Sequence, residues 1–200
     1  MITVTSHSSI NISSSKCLWF DPFRLDKSYN DADFVFITHP HFDHLSSSDI
    51  DKVKKDTTVF VAPENVLENA TYTLCPGDKI TVGGIEIEAV AAYNTIKPFH
   101  PKSDGWLGYI VTIDKIRYYV CGDTDLTDEA KSVKCDVLLV PCGGTYTMDY
   151  KDAAKLANII KPSVAIPTHY GSITGNEDDG EKFAQLLDEQ IESGLQYYNK

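Results

Sequence analysis

The feature that most constrains this chain is a cluster of four metal-binding side chains within six positions: His39, His41, Asp43 and His44 directly follow the apolar stretch 34–37. In a chain of this composition, a chance His-x-His-x-Asp-His occurs with a probability on the order of 5 × 10⁻⁴. A loop that leaves a strand can direct alternate side chains into one cavity, and imidazole and carboxylate groups suit zinc, manganese or iron. The motif predicts a metal site, with a solvated polar loop or a single structural zinc as the plainer alternatives.

Three later segments have the same layout, in which an apolar stretch delivers one candidate ligand at its end or just beyond a short loop. The ligands are His100, Asp123 and His169. Each alone would more often be an ordinary polar loop residue. Because functional side chains gather on loops held by a rigid scaffold, the three together are expected to join the first motif in one site.

Length and composition predict one globular domain spanning residues 1–200. The apolar fraction of 42% can supply a core for a chain of this size, and the sequence has no repeat and no long linker. Predicted strands cover residues 2–5, 16–20, 34–38, 58–62, 85–91, 107–113, 116–121 and 164–167. Predicted helices cover residues 47–54, 149–160 and 179–192. This order favours a layered α/β arrangement, sheet against sheet with helices outside.

Charge and cysteine content exclude several classes of protein. A net charge of −11 disfavours nucleic-acid binding, which uses clustered lysine and arginine. The sequence shows no apolar run long enough for a membrane span and no secretory signal, so a cytoplasmic protein without a membrane partner is expected. Five scattered cysteines without a C-x-x-C pair argue against disulfides and a zinc ribbon.

The motifs together resemble the metallo-β-lactamase superfamily, from residues 20–23 through the histidine loop to the Gly122-Asp123-Thr124 turn and the late histidine. The resemblance implies a four-layer αββα sandwich with metals at one edge. It implies a first ion held by His39, His41 and His100, a second held by Asp43, His44 and His169, and Asp123 bridging them. The stretches 141–148 and 167–171 are similar to the branch that contains L-ascorbate-6-phosphate lactonase.

Two divalent ions, zinc before manganese or iron, would share a water, lower its pKa and present hydroxide to an electrophilic carbon or phosphorus. The sequence leaves the proton donor open among Asp43, Tyr170 and the water itself. Lys97, Lys102, Tyr146 and Tyr170 flank the ligand segments and are candidates for contacting a phosphate or carboxylate, although solvated or half-buried rim positions are the more common role.

Two further residues near these segments have plain interpretations. Cys121 precedes Asp123 by two positions and would share its face on an extended strand, but a small buried cysteine is usually packing. His7 lies in a His-Ser pair that resembles an early element of the related branch. A lone histidine near a strand end is more often hydrogen-bonded scaffold than a ligand.

The predicted function is hydrolysis of a lactone or ester of a small anionic metabolite. The alternatives are a phosphodiesterase or nuclease, and a binding domain in which metal only stabilises the fold. The missing export signal disfavours an antibiotic-degrading β-lactamase. A diiron flavoprotein would typically have glutamate at His41, and a glyoxalase II-like enzyme would have a helical domain after His169. The expected partner is a small-molecule substrate, and the oligomeric state stays open, a homo-oligomer included.

Overall fold

Two β-sheets packed face to face form the centre of the computed structural model, which describes residues 1–197. The first sheet has the strand order β1 (Ile2–Ser6), β2 (Ser9–Ser13), β3 (Cys17–Phe20), β4 (Phe34–Phe36), β5 (Val59–Pro63), β6 (Tyr72–Leu74). The second has the order β13 (Glu192–Ser193), β12 (Val164–Thr168), β11 (Val137–Pro141), β10 (Ile116–Val120), β9 (Leu107–Ile113), β8 (Ile85–Ala91), β7 (Lys79–Val82).

Helices cover the outer face of each sheet. Residues 1–197 form four α-helices, which are α1 (Ser47–Val53), α2 (Asp128–Ser132), α3 (Tyr150–Ile160) and α4 (Asp179–Ala184). Residues of α1 pack with the first sheet, and residues of the other three pack with the second. Within the described chain, none of the helices has the length and apolar character needed to cross a membrane.

Three separate apolar layers confirm the predicted αββα sandwich. Phe36 and Tyr109 belong to the layer between the sheets. Trp19 lies in the layer beneath α1, and Leu138 lies in the layer beneath α2, α3 and α4. Central strands are therefore buried on both faces, which explains why they read as continuous apolar runs rather than as alternating patterns.

Strand direction brings the ends of several strands to one edge of the sandwich. In the first sheet, β1, β3, β4 and β5 run the same way, and in the second sheet β10, β11 and β12 are parallel. Backbone hydrogen bonds join the two sheets at this edge, where the amide of Leu107 donates to Thr38 and the amide of His169 donates to His7. Residues that follow these strands therefore gather in one place.

Local sequence signals explain the helices and the hairpin that were predicted. Asp149 caps α3 by accepting hydrogen bonds from two amides of the first turn, each at 2.9 Å. Asp114 and Lys115 both have positive φ and form the two-residue turn between β9 and β10. These elements agree with the sequence-based boundaries to within one or two residues.

The predicted helix at residues 179–192 is wrong beyond Ala184. The chain leaves the helix there, and Leu186 is 46% exposed. Ile191 is buried in the outer layer, and the amide of Glu192 donates to the carbonyl of Ser163 at 2.9 Å, so the segment ends as the edge strand β13 beside β12. Strand pairing, which local periodicity does not encode, determines the conformation of this segment.

Candidate metal centre

All seven side chains predicted to bind metal meet at the shared edge of the two sheets. Asp123, which follows β10, lies at the centre of the group and is 4% exposed. Its Oδ2 atom lies 3.1 Å from His169 Nε2 and 3.3 Å from His100 Nε2, and its Oδ1 atom lies 3.4 Å from His44 Nε2. The strand ends therefore place one carboxylate among imidazoles from three separate segments.

The first predicted ion site has its three histidines close together. The ligand atoms of His39, His41 and His100 all lie within 4.8 Å of one another. His39 Nε2 and His41 Nδ1 face each other at 3.0 Å, and His39 Nε2 lies 3.9 Å from Asp123 Oδ2. Despite its unusual Lys-Pro-Phe-His-Pro-Lys setting, His100 points into this cluster.

The second predicted site also assembles, with one unexpected member. Asp43 Oδ2 lies 3.6 Å from His169 Nε2 and 3.8 Å from His44 Nε2. His7, from the turn between β1 and β2, is closer than either, because its Nε2 atom lies 3.3 Å from the same oxygen. His7, Asp43 and His169 form a compact group of ligand atoms within 4.8 Å of one another.

Neighbouring acceptors fix which nitrogen of three imidazoles carries the proton. His44 Nδ1 faces a carboxylate oxygen of Asp21 at 2.7 Å. His100 Nδ1 faces the side-chain oxygen of Asn94 at 3.0 Å. His39 Nδ1 faces the Thr38 hydroxyl at 3.0 Å, and that hydroxyl already donates to Asp21. We therefore place the proton on Nδ1 in each ring, which directs the Nε2 lone pair toward the site.

The buried polar atoms without hydrogen-bond partners indicate where a cation fits. In the described chain they include Nε2 of His7, His44, His100 and His169 together with Asp123 Oδ1. Lone pairs of imidazole that face carboxylate oxygens repel one another unless a positive charge lies between them. Two ligands bound to zinc at ~2.0–2.1 Å with tetrahedral angles lie about 3.3 Å apart, which matches the separations found here. The residues present therefore fit divalent metal ions.

The electrostatics of the cluster also favour cation binding. Burial lowers the pKa of both His39 and His41, so these imidazoles are neutral and available as ligands. Burial alone would raise the pKa of Asp123, but His169 and His44 hold it well below its usual range. Burial would lower the pKa of His169, yet Asp123 and Asp43 raise it to about 9. In the metal-free protein a proton thus occupies a position that a divalent ion can take.

A cleft of about 240 Å³ opens directly onto the cluster. Its floor consists of ligand side chains, including those of Asp43 and Asp123, and its walls are apolar or aromatic. The wall residues are Phe42, Phe99, Tyr146 and Ile173. The rings of Phe99 and Tyr146 meet edge to face at 4.8 Å, and Phe42 is 68% exposed at the mouth. The cleft suits a small molecule with an apolar part.

Of the flanking residues considered for substrate contact, only Tyr146 lines this cleft. The ammonium group of Lys97 donates to Asp125 at 2.9 Å, and that of Lys102 pairs with Glu129 at 2.6 Å. Tyr170 packs with the outer apolar layer, and its hydroxyl lies where a Cβ on Gly180 would be. Tyr170 therefore points toward α4 rather than into the cleft.

Cys121 is a packing residue, as its plain interpretation predicts. It is fully buried in the outer layer beneath α3, where burial raises the pKa of its thiol well above the ordinary value. Gly122 has a φ of +64°, so the chain bends between Cys121 and Asp123 and the two side chains do not share a face. A side chain at Gly122 would also clash with the carbonyl oxygen of Leu107.

Three residues of the cluster were not assigned a functional role from the sequence. Asp21 follows β3 and binds both His44 and the backbone and hydroxyl of Thr38. Asn94 orients His100 and donates to Asp125. For His7, the sequence favours a hydrogen-bonded scaffold role. The available signal for Asp21 and His7 is their place directly after a strand, and for Asp21 that strand is the apolar β3.

Sequence comparisons agree with this architecture. The model of the β-lactamase superfamily domain matches residues 1–169. A UPF0173 metal-dependent hydrolase of Methanopyrus kandleri is 32% identical over 80% of this chain and 75% of that protein. A UPF0173 metal-dependent hydrolase of Pyrococcus furiosus is 28% identical over 94% of this chain and 92% of that protein.

Comparisons with solved structures agree as well. A crystal structure from Parabacteroides distasonis, of a protein assigned as a metal-dependent hydrolase, is 31% identical with a TM-score of 0.84, covering 99% of this chain and 93% of that one. Igni18, a metallo hydrolase from Ignicoccus hospitalis, has a TM-score of 0.79 at 20% identity over 96% and 92% of the two chains, a likeness in fold alone. The chain therefore belongs to the β-lactamase superfamily and, within it, to the UPF0173 metal-dependent hydrolases.

Proposed function

We propose that this protein hydrolyses a lactone or ester of a small molecule with the help of two divalent metal ions, zinc being the first candidate. The observation that carries the proposal is the set of buried Nε2 atoms that have no hydrogen-bond partner and surround two carboxylates at the base of a cleft. Such a donor set holds more ligands than one tetrahedral ion needs. A lactonase-like activity also follows the branch resemblance seen in the sequence.

The cluster divides into two groups that share a central carboxylate. His39, His41 and His100 would hold one ion, Asp43, His44 and His169 the other, and Asp123 lies between the groups. Bound ions would supply an activated water as nucleophile and positive charge opposite the oxyanion that develops. Asp43 also lines the cleft, which supports a role for its carboxylate in taking up a proton and returning it to the leaving group.

The cleft favours a carboxylic ester or lactone over a phosphodiester. Within residues 1–197, the side chains that line it include no lysine or arginine. Lys97 and Lys102, which flank the ligand segments and are candidates for contacting a phosphate or carboxylate, both pair with carboxylates away from the cleft. A phosphodiester carries a negative charge and would meet apolar walls in a chain of net charge −11. We therefore propose an uncharged acyl substrate with an apolar substituent.

Metal content and substrate preference together test this function. We expect two zinc ions per chain by elemental analysis of the purified protein, and zinc-dependent hydrolysis of aryl esters and lactones that a chelator removes and added zinc restores. Bis(4-nitrophenyl) phosphate should be turned over at least about 10-fold more slowly. One ion per chain without hydrolysis would support the binding-domain alternative, and a preference for the phosphodiester would support a phosphodiesterase.

Substitution of the exposed wall residue Phe42 tests the apolar substituent. Phe42→Ala should lower kcat/KM for an aryl ester by roughly 10-fold, because burying a phenylalanine side chain contributes about 1.5–3 kcal/mol. Hydrolysis of methyl acetate, which is too small to reach the cleft mouth, should change less than about 2-fold. The matched control is Ile159→Ala, which removes a partly exposed apolar side chain from α3. Equal losses for both substrates would contradict a substrate-binding role for Phe42.

A further inference from the structure

We infer that Asp125, in the turn between β10 and α2, is a positioning residue that fixes both a metal ligand and a wall of the cleft. It acts through Asn94 on the ligand His100. It acts through Lys97 on the segment that carries Tyr146. Among residues 1–197, its carboxylate forms no hydrogen bond or ion pair with a predicted metal ligand. The inference rests on the proposed metal-dependent function.

The carboxylate of Asp125 gathers donors from one short segment of the loop after β8. Asp125 is 7% exposed, and its Oδ1 atom accepts from Asn94 Nδ2 at 3.1 Å and from Lys97 Nζ at 2.9 Å. Its Oδ2 atom accepts from the backbone amide of Thr95 at 2.9 Å and from the Thr95 hydroxyl at 3.3 Å. Both oxygens are therefore occupied, and their removal leaves the buried amide of Asn94 short of an acceptor.

Asn94 connects this carboxylate to the metal ligand His100. The side-chain oxygen of Asn94 accepts from the backbone amide of His100 at 3.1 Å and faces His100 Nδ1 at 3.0 Å. A carboxylate only accepts hydrogen bonds, so Asp125 requires the amide nitrogen of Asn94 on its own side and places the oxygen toward the imidazole. This arrangement directs His100 Nε2 to its position 3.3 Å from Asp123 Oδ2.

Two donors of the same segment also hold the cleft wall. The side-chain amide of Asn94 donates to the carbonyl of Tyr146 at 2.8 Å, and the ammonium group of Lys97 donates to the carbonyl of Thr147. The ring of Phe99 meets that of Tyr146 edge to face at 4.8 Å, and both residues line the cleft. The carboxylate that orients Asn94 and Lys97 thus determines how the loop with the metal ligand lies against the loop with the wall.

Metal binding tests the first role, with Zn²⁺ and Co²⁺ as the probes. In Asp125→Ala, the ion held by His100 should lose affinity by about 10–100-fold, the effect typical of groups that orient a ligand. The affinity for the other ion should stay within about 3-fold. His100→Ala identifies the affected ion, because it should weaken the same one.

Asp49→Ala is the matched control for a purely structural loss. Asp49 is 5% exposed on α1 and, like Asp125, accepts from a lysine ammonium, a hydroxyl and backbone amide groups. Within the described chain, none of its hydrogen-bond partners bonds to a predicted metal ligand. Both variants should lower the unfolding temperature measured in chelator, but only Asp125→Ala should weaken an ion.

Lys97→Met tests the second role, because it removes the link to the cleft wall and leaves Asn94 in place. Both ions should stay within about 3-fold of their original affinity. The KM for an aryl ester should rise roughly 5-fold with kcat unchanged, since an apolar wall contacts the ground state and the transition state equally. Lys97→Arg keeps the cation and should return the KM to within about 2-fold of the original value.

The outcomes separate this inference from the proposed function. Unchanged metal affinity in Asp125→Ala, or an equal loss in Asp49→Ala, would overturn Asp125 as a positioning residue and leave the proposed hydrolase unaffected. An unchanged KM in Lys97→Met would overturn its action on the wall. Absence of ester hydrolysis by the metal-loaded original protein would contradict the proposed function, while the metal-binding comparison would still decide the first role.

Asp125→Asn replaces Asp125→Ala if the alanine variant does not fold. Asparagine keeps the size of the side chain and accepts through one oxygen, so the same ion should lose affinity by about 10-fold. Full retention of both ions in the folded Asp125→Asn protein would count against the inference in the same way.

Discussion

Replacing Asp123 by asparagine is expected to lower kcat/KM by more than about 1,000-fold, the loss of over ~4 kcal/mol of transition-state stabilisation. The two oxygens of Asp123 face different groups of histidines, Oδ2 toward His100 and His169 and Oδ1 toward His44. An amide keeps the size of the side chain but turns one oxygen into a donor that faces imidazole lone pairs. It also removes the negative charge that two divalent ions need between them.

Metal content should fall with activity in Asp123→Asn, from the two zinc ions per chain that we propose to one or fewer. Elemental analysis and ester hydrolysis on the same sample measure the two effects together. Asp128→Asn is the matched control, because it makes the same chemical change at a carboxylate that is 96% exposed on α2, and it should retain both metal and activity. Activity near the original level in a metal-loaded Asp123→Asn protein would contradict the central position assigned to this carboxylate.

The fold could be predicted where local signals and tertiary packing agree. Helix α3 has an apolar face and an aspartate cap, and the β9–β10 hairpin has a two-residue turn, so their boundaries follow from the sequence. The edge strands β6, β7 and β13 are short and mostly exposed or half-buried. Such strands exist because a neighbouring strand offers unpaired backbone groups, which no local pattern reports.

The candidate site also contains residues that the sequence predicts and residues that it does not. Four of its side chains lie within one six-residue motif, and three more follow apolar strands, so the cluster could be predicted as a whole. The residues that orient it could not, because Asp21 and Asn94 matter only through contacts with His44 and His100 that the folded chain creates. His7 shows the limit most clearly, since its relation to Asp43 depends on which strand ends share an edge.

Sequence proximity alone does not show which side chains reach the cleft. Lys97 and Lys102 lie within three residues of His100, yet the backbone between them turns each ammonium group toward a different carboxylate. Residues that are close in the chain can direct their side chains to different places. The apolar cleft wall, by contrast, combines Phe42 with residues from three distant loops and becomes visible only in the folded structure.

The largest effect on stability is expected from Phe36→Ala, in the layer between the two sheets. Phe36 is fully buried and stacks on Phe20 with ring centroids 4.6 Å apart. Its ring centroid lies 5.3 Å from that of Tyr109 in the opposite sheet. The Tyr109 hydroxyl donates to the carbonyl of Ile37 at 2.7 Å, which ties the second sheet to the segment that leads into His39. Removing this ring leaves a cavity where both sheets meet, next to the metal edge.

We expect Phe36→Ala to lower the free energy of unfolding by about 3–5 kcal/mol and the Tm by roughly 10 °C. Urea unfolding should be measured in chelator, because bound metal would add its own stabilisation. Phe42→Ala is the matched control, since it removes the same ring from a site that is 68% exposed, and it should change the free energy of unfolding by less than about 0.5 kcal/mol. Similar losses in the two variants would mean that the layer between the sheets does not determine the stability of the sandwich.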